Sequence, residues 1–167
     1  KTEDGGQNWS RIWYGDNLAR YVWIDPTNTE RLFVSTGIFD REAANSDPDN
    51  LDSGGVGILR SEDGGATWEV LANGFEQHHL HLGSLALHPE NPDILLAGAD
   101  TPAAASYLGA AMGGLYGSID GGDTWSKLDD DPINSVEICE GNPNVAYAAN
   151  SAEVFRTDDL GETWSVV

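Results

Sequence analysis

Basic residues are scarce in this chain. Eight lysines and arginines stand against 28 aspartates and glutamates, a formal net charge of −20 over 167 residues. Nucleic acids and anionic membrane surfaces are gripped by clustered Lys and Arg, so both are excluded as partners. The acidic excess reads first as a solvated surface and second as a field that attracts cations. Cysteine is almost absent. Cys139 stands alone, so an internal disulfide is excluded, and its place in Val136-Glu137-Ile138-Cys139 predicts a small buried side chain. No apolar run has the length of a membrane-spanning helix, and no signal peptide is visible.

What the chain does have is one motif, written four times. Ser118-Ile119-Asp120-Gly121-Gly122-Asp123-Thr124-Trp125 has the form Ser/Thr-x-Asp-x-Gly-x-Thr-Trp, here called a box. The form recurs at Ser61-Glu62-Asp63-Gly64-Gly65-Ala66-Thr67-Trp68 and at Thr157-Asp158-Asp159-Leu160-Gly161-Glu162-Thr163-Trp164. A fourth copy, Thr2-Glu3-Asp4-Gly5-Gly6-Gln7-Asn8-Trp9, has Asn8 in place of the Thr. Asp accepts from nearby backbone N–H groups and Gly takes positive φ, so each box predicts a tight turn. Trp9, Trp68, Trp125 and Trp164 are then apolar anchors, and Asp4, Asp63, Asp120 and Asp159 are structural rather than catalytic. Apolar β-type residues flank the boxes, which makes each one a hairpin between two strands.

The motif resembles the Asp-box, or BNR, repeat family, which includes sialidases, family 74 xyloglucan hydrolases, sortilin-type receptor domains and Ycf48-type photosystem assembly factors. The resemblance covers essentially the whole chain. It implies an all-β fold, a β-propeller of four-stranded antiparallel blades, and an extracellular or periplasmic setting. The box tryptophans are spaced by 59, 57 and 39 residues. A four-stranded blade needs about 40–45 residues, so the last interval is nearly a bare blade and the first two carry insertions. The chain therefore reads as a segment of a larger propeller, with the remaining blades as partners. It holds the end of one blade in 1–18 and three complete blades in 19–73, 80–129 and 132–167. Residues 9–14 are expected to form the closing strand of the first, partial blade.

One order recurs through these blades: strand, Asn-Pro turn, strand, connection, strand, box, strand. Asp25-Pro26-Thr27-Asn28, His88-Pro89-Glu90-Asn91-Pro92 and Gly141-Asn142-Pro143-Asn144 are the three turns. Alternate connections of an up-and-down blade lie at opposite edges. The Asn-Pro turns and boxes therefore share one edge. The insertions at 38–54 and 101–113 share the other with the blade-to-blade connections, and long loops at one edge are where function is sought.

The loop edge supplies the candidates. Asp40, Arg41 and Glu42 form an ion pair or a polar substrate contact, and the two acids can supply half of a glycosidase pair. Asp47, Asp49 and Asp52 are closely spaced oxygen ligands suited to calcium, although the spacing is not that of an EF-hand. Calcium is the one cofactor the residues suggest. His78, His79 and His81 have the composition of a zinc or copper site, but no cysteine or partner acid completes a tetrahedral set. They read better as hydrogen-bonding or substrate contacts. Tyr107 and Met112 can meet a sugar or a peptide, or pack their own loop.

Two functions follow. The first is an interaction scaffold that binds a protein or a polysaccharide at the loop edge. The alternative is a glycoside hydrolase of the family 74 kind, acting through a carboxylate pair. A sialidase is disfavoured. Its substrate carboxylate needs three arginines, whereas Arg60 and Arg156 precede boxes and Arg11 lies in Arg-Ile-Trp rather than the family's Arg-Ile-Pro.

Overall fold

The computed structural model of the chain describes residues 1–14, 19–36, 57–75, 81–100 and 113–167, with only the backbone of His81. These residues form twelve strands and no helix. β1 (Ala19–Ile24), β2 (Leu32–Thr36), β3 (Ile58–Ser61) and β4 (Glu69–Leu71) pair in sequence order as the first sheet. The second is β5 (His81–Leu87), β6 (Leu95–Asp100), β7 (Gly114–Ser118) and β8 (Ser126–Asp129). The third is β9 (Ser135–Ile138), β10 (Ala146–Ala149), β11 (Val154–Thr157) and β12 (Ser165–Val166). Every pairing is antiparallel.

The core lies in the seams between sheets, and strand alternation explains how one sheet serves two seams. Leu85, Leu95, Ala97 and Tyr116 of the second sheet join Phe33, Ile58 and Leu71 of the first. Their chain neighbours Ala86, Leu96 and Leu115 point the other way and join Val136, Ala146, Ala148 and Phe155 of the third. The middle sheet is thus apolar on both faces, which is why β6 reads Leu-Leu-Ala-Gly-Ala without polar interruption. The first sheet also buries chain neighbours of opposite direction, Phe33 with Val34 and Ile58 with Leu59, whereas the third sheet buries one face. β9 and β10 alternate buried and solvent-facing positions almost strictly. Each fully buried Phe, Leu or Ile contributes roughly 1.5–3 kcal/mol relative to exposure.

Three expectations need correction. Residues 9–14 form no strand; their end of the chain is held by a reciprocal pair of bonds between Lys1 and Ser10, both 2.8 Å. The ladder partner that such a strand needs is not found among the described residues. Cys139 is exposed, because β9 buries Val136 and Ile138 and ends before it. Of Trp68, Trp125 and Trp164, all expected to be largely buried, only Trp125 is; Trp68 and Trp164 are half-buried, and Trp9 is 73% exposed. Burial of a box tryptophan depends on what the preceding segment of chain lays over it. Trp125 has Phe75 stacked on it, and Trp68 has Trp13 edge-on.

Candidate functional site

The strand register divides each sheet into two edges of different chemistry. At one edge β1 turns into β2, β3 turns into β4, and the turns touch: Gly64 N–H donates to Glu30 O at 2.8 Å. Gly121 to Asp93 (2.9 Å) and Leu160 to Asn144 (2.8 Å) repeat the bond in the other two sheets. Boxes and Asn-Pro turns therefore do share an edge.

The box is closed by its own polar atoms. In the 61–68 turn, Ser61 Oγ donates to Asp63 Oδ1 at 2.8 Å and accepts from Gly65 N–H at 2.8 Å. Asp63 then accepts from Thr67 N–H at 2.8 Å and from Thr67 Oγ1 at 2.6 Å. The indole N–H of Trp68 donates to Gly65 O at 3.1 Å. In the first box Asn8 Nδ2 donates to Asp4 Oδ2 at 2.6 Å, so the amide does the work of the missing Thr hydroxyl. These donors hold the carboxylates of Asp4, Asp63, Asp120 and Asp159 at about 2, against an ordinary 3.8. For Asp63 and Asp120 the largest cause is the Thr hydroxyl at the seventh box position, and for Asp4 it is the backbone N–H of Asn8. A carboxylate so firmly ionised and so fully bonded is a poor general acid or base near neutral pH.

Two arginines, Arg31 and Arg60, cross the seam at this edge. Arg60 donates to Gly121 O at 2.8 Å and pairs with Asp123 at 2.8 Å, both in the box of the second sheet. It also pairs with Glu69 on its own sheet at 2.9 Å. Arg31 donates to Glu62 at 2.8 Å and to Pro92 O of the second sheet's turn at 3.3 Å. Their signal in the sequence is position: Arg60 directly precedes a box and Arg31 follows an Asn-Pro turn.

The opposite edge carries the candidate site. The strand ends Ala19, Thr36, Ile58 and Leu71 gather there in the first sheet, and His81, Asp100, Gly114 and Asp129 in the second. Thr36 Oγ1 donates to Gly57 O at 2.6 Å in a buried bond that closes this end of the β2–β3 pair. Register sets the backbone of His81 directly opposite Asp100. Asp100 is the last residue of β6 and belongs to none of the sequence motifs. Asp131 N–H donates to Asp129 Oδ1 at 2.8 Å and Lys127 pairs with Asp130 at 2.8 Å, so the connection to the third sheet is acidic and solvent-facing. Of the predicted site residues, Asp40, Arg41, Glu42, Asp47, Asp49, Asp52, His78, His79 and Tyr107 lie outside the described residues, as does Met112. Among the described residues no group of His, Cys, Asp and Glu is arranged to hold a metal ion.

Four-stranded antiparallel sheets stacked face to face, with hairpin turns at one edge and long connections at the other, are blades of a β-propeller. No family model matches the chain. A xyloglucanase of Acetivibrio thermocellus is 28% identical over an alignment 180 positions long, which covers 87% of this chain and 19% of the relative. Among solved structures, the GH74 xyloglucanase of Xanthomonas campestris superposes with a TM-score of 0.60 at 16% identity, over 87% of this chain and 21% of that one. Ycf48 bound to a D1 peptide superposes with a TM-score of 0.53 at 16% identity, over 82% of this chain and 36% of that one. The chain spans about a fifth of the length of the curated relatives it matches.

Proposed function

We propose that this chain is part of a propeller scaffold that binds a neutral polysaccharide, a plant β-glucan of the xyloglucan class, at its loop edge. The observation that supports the reading is the likeness to xyloglucanases along most of the chain. The charge of −20 agrees with it, since a neutral polymer meets no repulsion where an anionic one would. Asp40, Arg41, Glu42, His78, His79, His81 and Tyr107 are the proposed contacts. Asp47, Asp49 and Asp52 remain a proposed calcium loop, and calorimetric titration of Ca²⁺ against the Asp49→Asn variant tests that. The setting we propose is extracellular or periplasmic.

Titration calorimetry with a xyloglucan oligosaccharide, a cello-oligosaccharide and polygalacturonate tests the main reading. Binding of the first two with none of the third is expected. Equal binding of all three, or of none, defeats it. Reducing-sugar release from xyloglucan in the same samples separates a hydrolase from a binding scaffold. A peptide ligand is the second reading, favoured by the superposition on peptide-bound Ycf48. It gains if short peptides bind and glucans do not.

A further inference from the structure

The two seams are closed differently at the box edge. Four charged side chains close the first. Arg60 donates to Gly121 O, the fourth residue of the next box, at 2.8 Å and pairs with Asp123, the sixth, at 2.8 Å. Glu69 holds Arg60 from its own sheet at 2.9 Å, and Glu62 holds Arg31 at 2.8 Å. Arg31 in turn reaches Pro92 O at 3.3 Å.

Register identifies the residues at the same places in the second seam. Arg60 pairs with Phe33 and Glu69, and Gly117 pairs with Leu96 and Ser126. Ile94 closes its Asn-Pro turn as Arg31 does: its N–H donates to Asn91 O and its O accepts from His88 N–H. Ile119 is the second residue of its box, as Glu62 is. Leu128 lies over Gly161 as Leu71 lies over Gly122. Arg31, Arg60, Glu62 and Glu69 therefore correspond to Ile94, Gly117, Ile119 and Ser126. The acceptors on the far side of the seam are kept. Leu160 supplies the fourth-position carbonyl and Glu162 the sixth-position carboxylate. Among the described residues Leu160 O accepts no hydrogen bond and Glu162 makes no ion pair.

A cavity of about 240 Å³ opens there, between Ile94, Gly117, Ile119, Leu128, Leu160 and Glu162. We propose that it binds the arginine side chain of a partner peptide. The methylenes lie against Ile94, Ile119 and Leu128, and the guanidinium donates to Leu160 O and pairs with Glu162 at the exposed rim. Arg60 makes this set of contacts within the chain, to Gly121 O and Asp123. Lysine fits less well, because its ammonium is more strongly hydrated and lacks the fixed fork of donors. The net charge of −20 draws a basic segment to the surface. The site lies at the box edge, away from the loop edge proposed for the glucan, so the two stand or fall separately.

NMR titration of the intact polypeptide with acetyl-Gly-Gly-Arg-Gly-Gly-amide tests this, read at the Gly117 amide and the Ile119 methyls. Saturable shifts are expected. The same peptide with citrulline, isosteric but uncharged, is expected to bind at least ~10-fold more weakly. Glu162→Gln is expected to weaken the arginine peptide roughly threefold to fivefold. Gly117→Arg supplies an arginine from within and is expected to abolish binding, read at Ile119, whereas Gly117→Ala keeps it. The backbone admits both, since the nearest atom to a Cβ at Gly117 is the flexible end of Leu128, at 3.0 Å. Shifts that never saturate, or equal affinity for the citrulline peptide, overturn the site. Affinity indifferent to Glu162→Gln overturns the ion pair, and an equal affinity for the lysine peptide overturns the preference for a guanidinium. A xyloglucan oligosaccharide that moves the same resonances marks a sugar site and overturns the arginine site.

Discussion

Phe75 lies stacked on Trp125, with ring centroids 5.2 Å apart and planes at 22°. One ring comes from the connection that leaves the first sheet and the other from the box of the second. Asn73 O accepts from Trp125 N–H at 2.9 Å in the same place. A single segment of three residues thus caps the neighbouring box and makes Trp125 the deepest of the four box tryptophans.

Removing that anchor is expected to cost what a buried aromatic usually costs. Trp125→Ala should lower the unfolding free energy by about 3–5 kcal/mol. Trp9→Ala should lower it by less than about 1 kcal/mol, since Trp9 is 73% exposed. Urea denaturation of the two variants checks the contrast.

Gly74, between Asn73 and Phe75, has φ +100°, and a Cβ there would stand 1.9 Å from Trp125 O. Gly74→Ala therefore meets both a conformational penalty and a backbone clash. It is expected to cost roughly 3 kcal/mol or more. Gly5→Ala, with φ +70° and open space around it, should cost only about 1–2 kcal/mol. Similar losses for both would show that the clamp on Trp125 is not rigid.

Leu160 is the one non-glycine residue with positive φ among those described, at 57°. The first three boxes place Gly5, Gly64 and Gly121 there. Leu160→Gly should therefore raise stability by about 0.5–1 kcal/mol, the left-handed strain outweighing the lost apolar contact. Thermal melts of the variant give the sign directly.

Acid should unfold the chain through its boxes. The four box carboxylates sit at about 2 when folded, below their ordinary 3.8, so the unfolded chain binds protons first as pH falls. Their stabilisation is complete above about pH 5 and is lost as pH drops towards 2. The melting temperature should be flat from about pH 5 to 7 and fall steeply below about pH 4. Asp120→Asn should melt lower at neutral pH and show a smaller further loss in acid. A melting temperature indifferent to pH across this range would remove the boxes from the account.

The four boxes and the recurring strand order were legible in the residues alone, because turn chemistry is local. Ser, Asp, Gly and Thr at fixed spacing satisfy one another within eight residues, whatever surrounds them. The three sheets, their antiparallel pairing and the sharing of one edge by boxes and Asn-Pro turns follow from that periodicity. Other features were not local. Arg60 and Asp123 are 63 residues apart, and only the stacking of one sheet on the next makes them a pair. Cys139 carries a side chain that sequence alone assigns to the interior, and it is exposed because β9 ends at Ile138. Trp68, Trp125 and Trp164 read alike in sequence, yet only Trp125 is buried, because Phe75 from a distant part of the chain stacks on it. Asp100 and the backbone of His81 are opposite each other because register, set by the whole β5–β6 ladder, decides which strand ends meet at the loop edge.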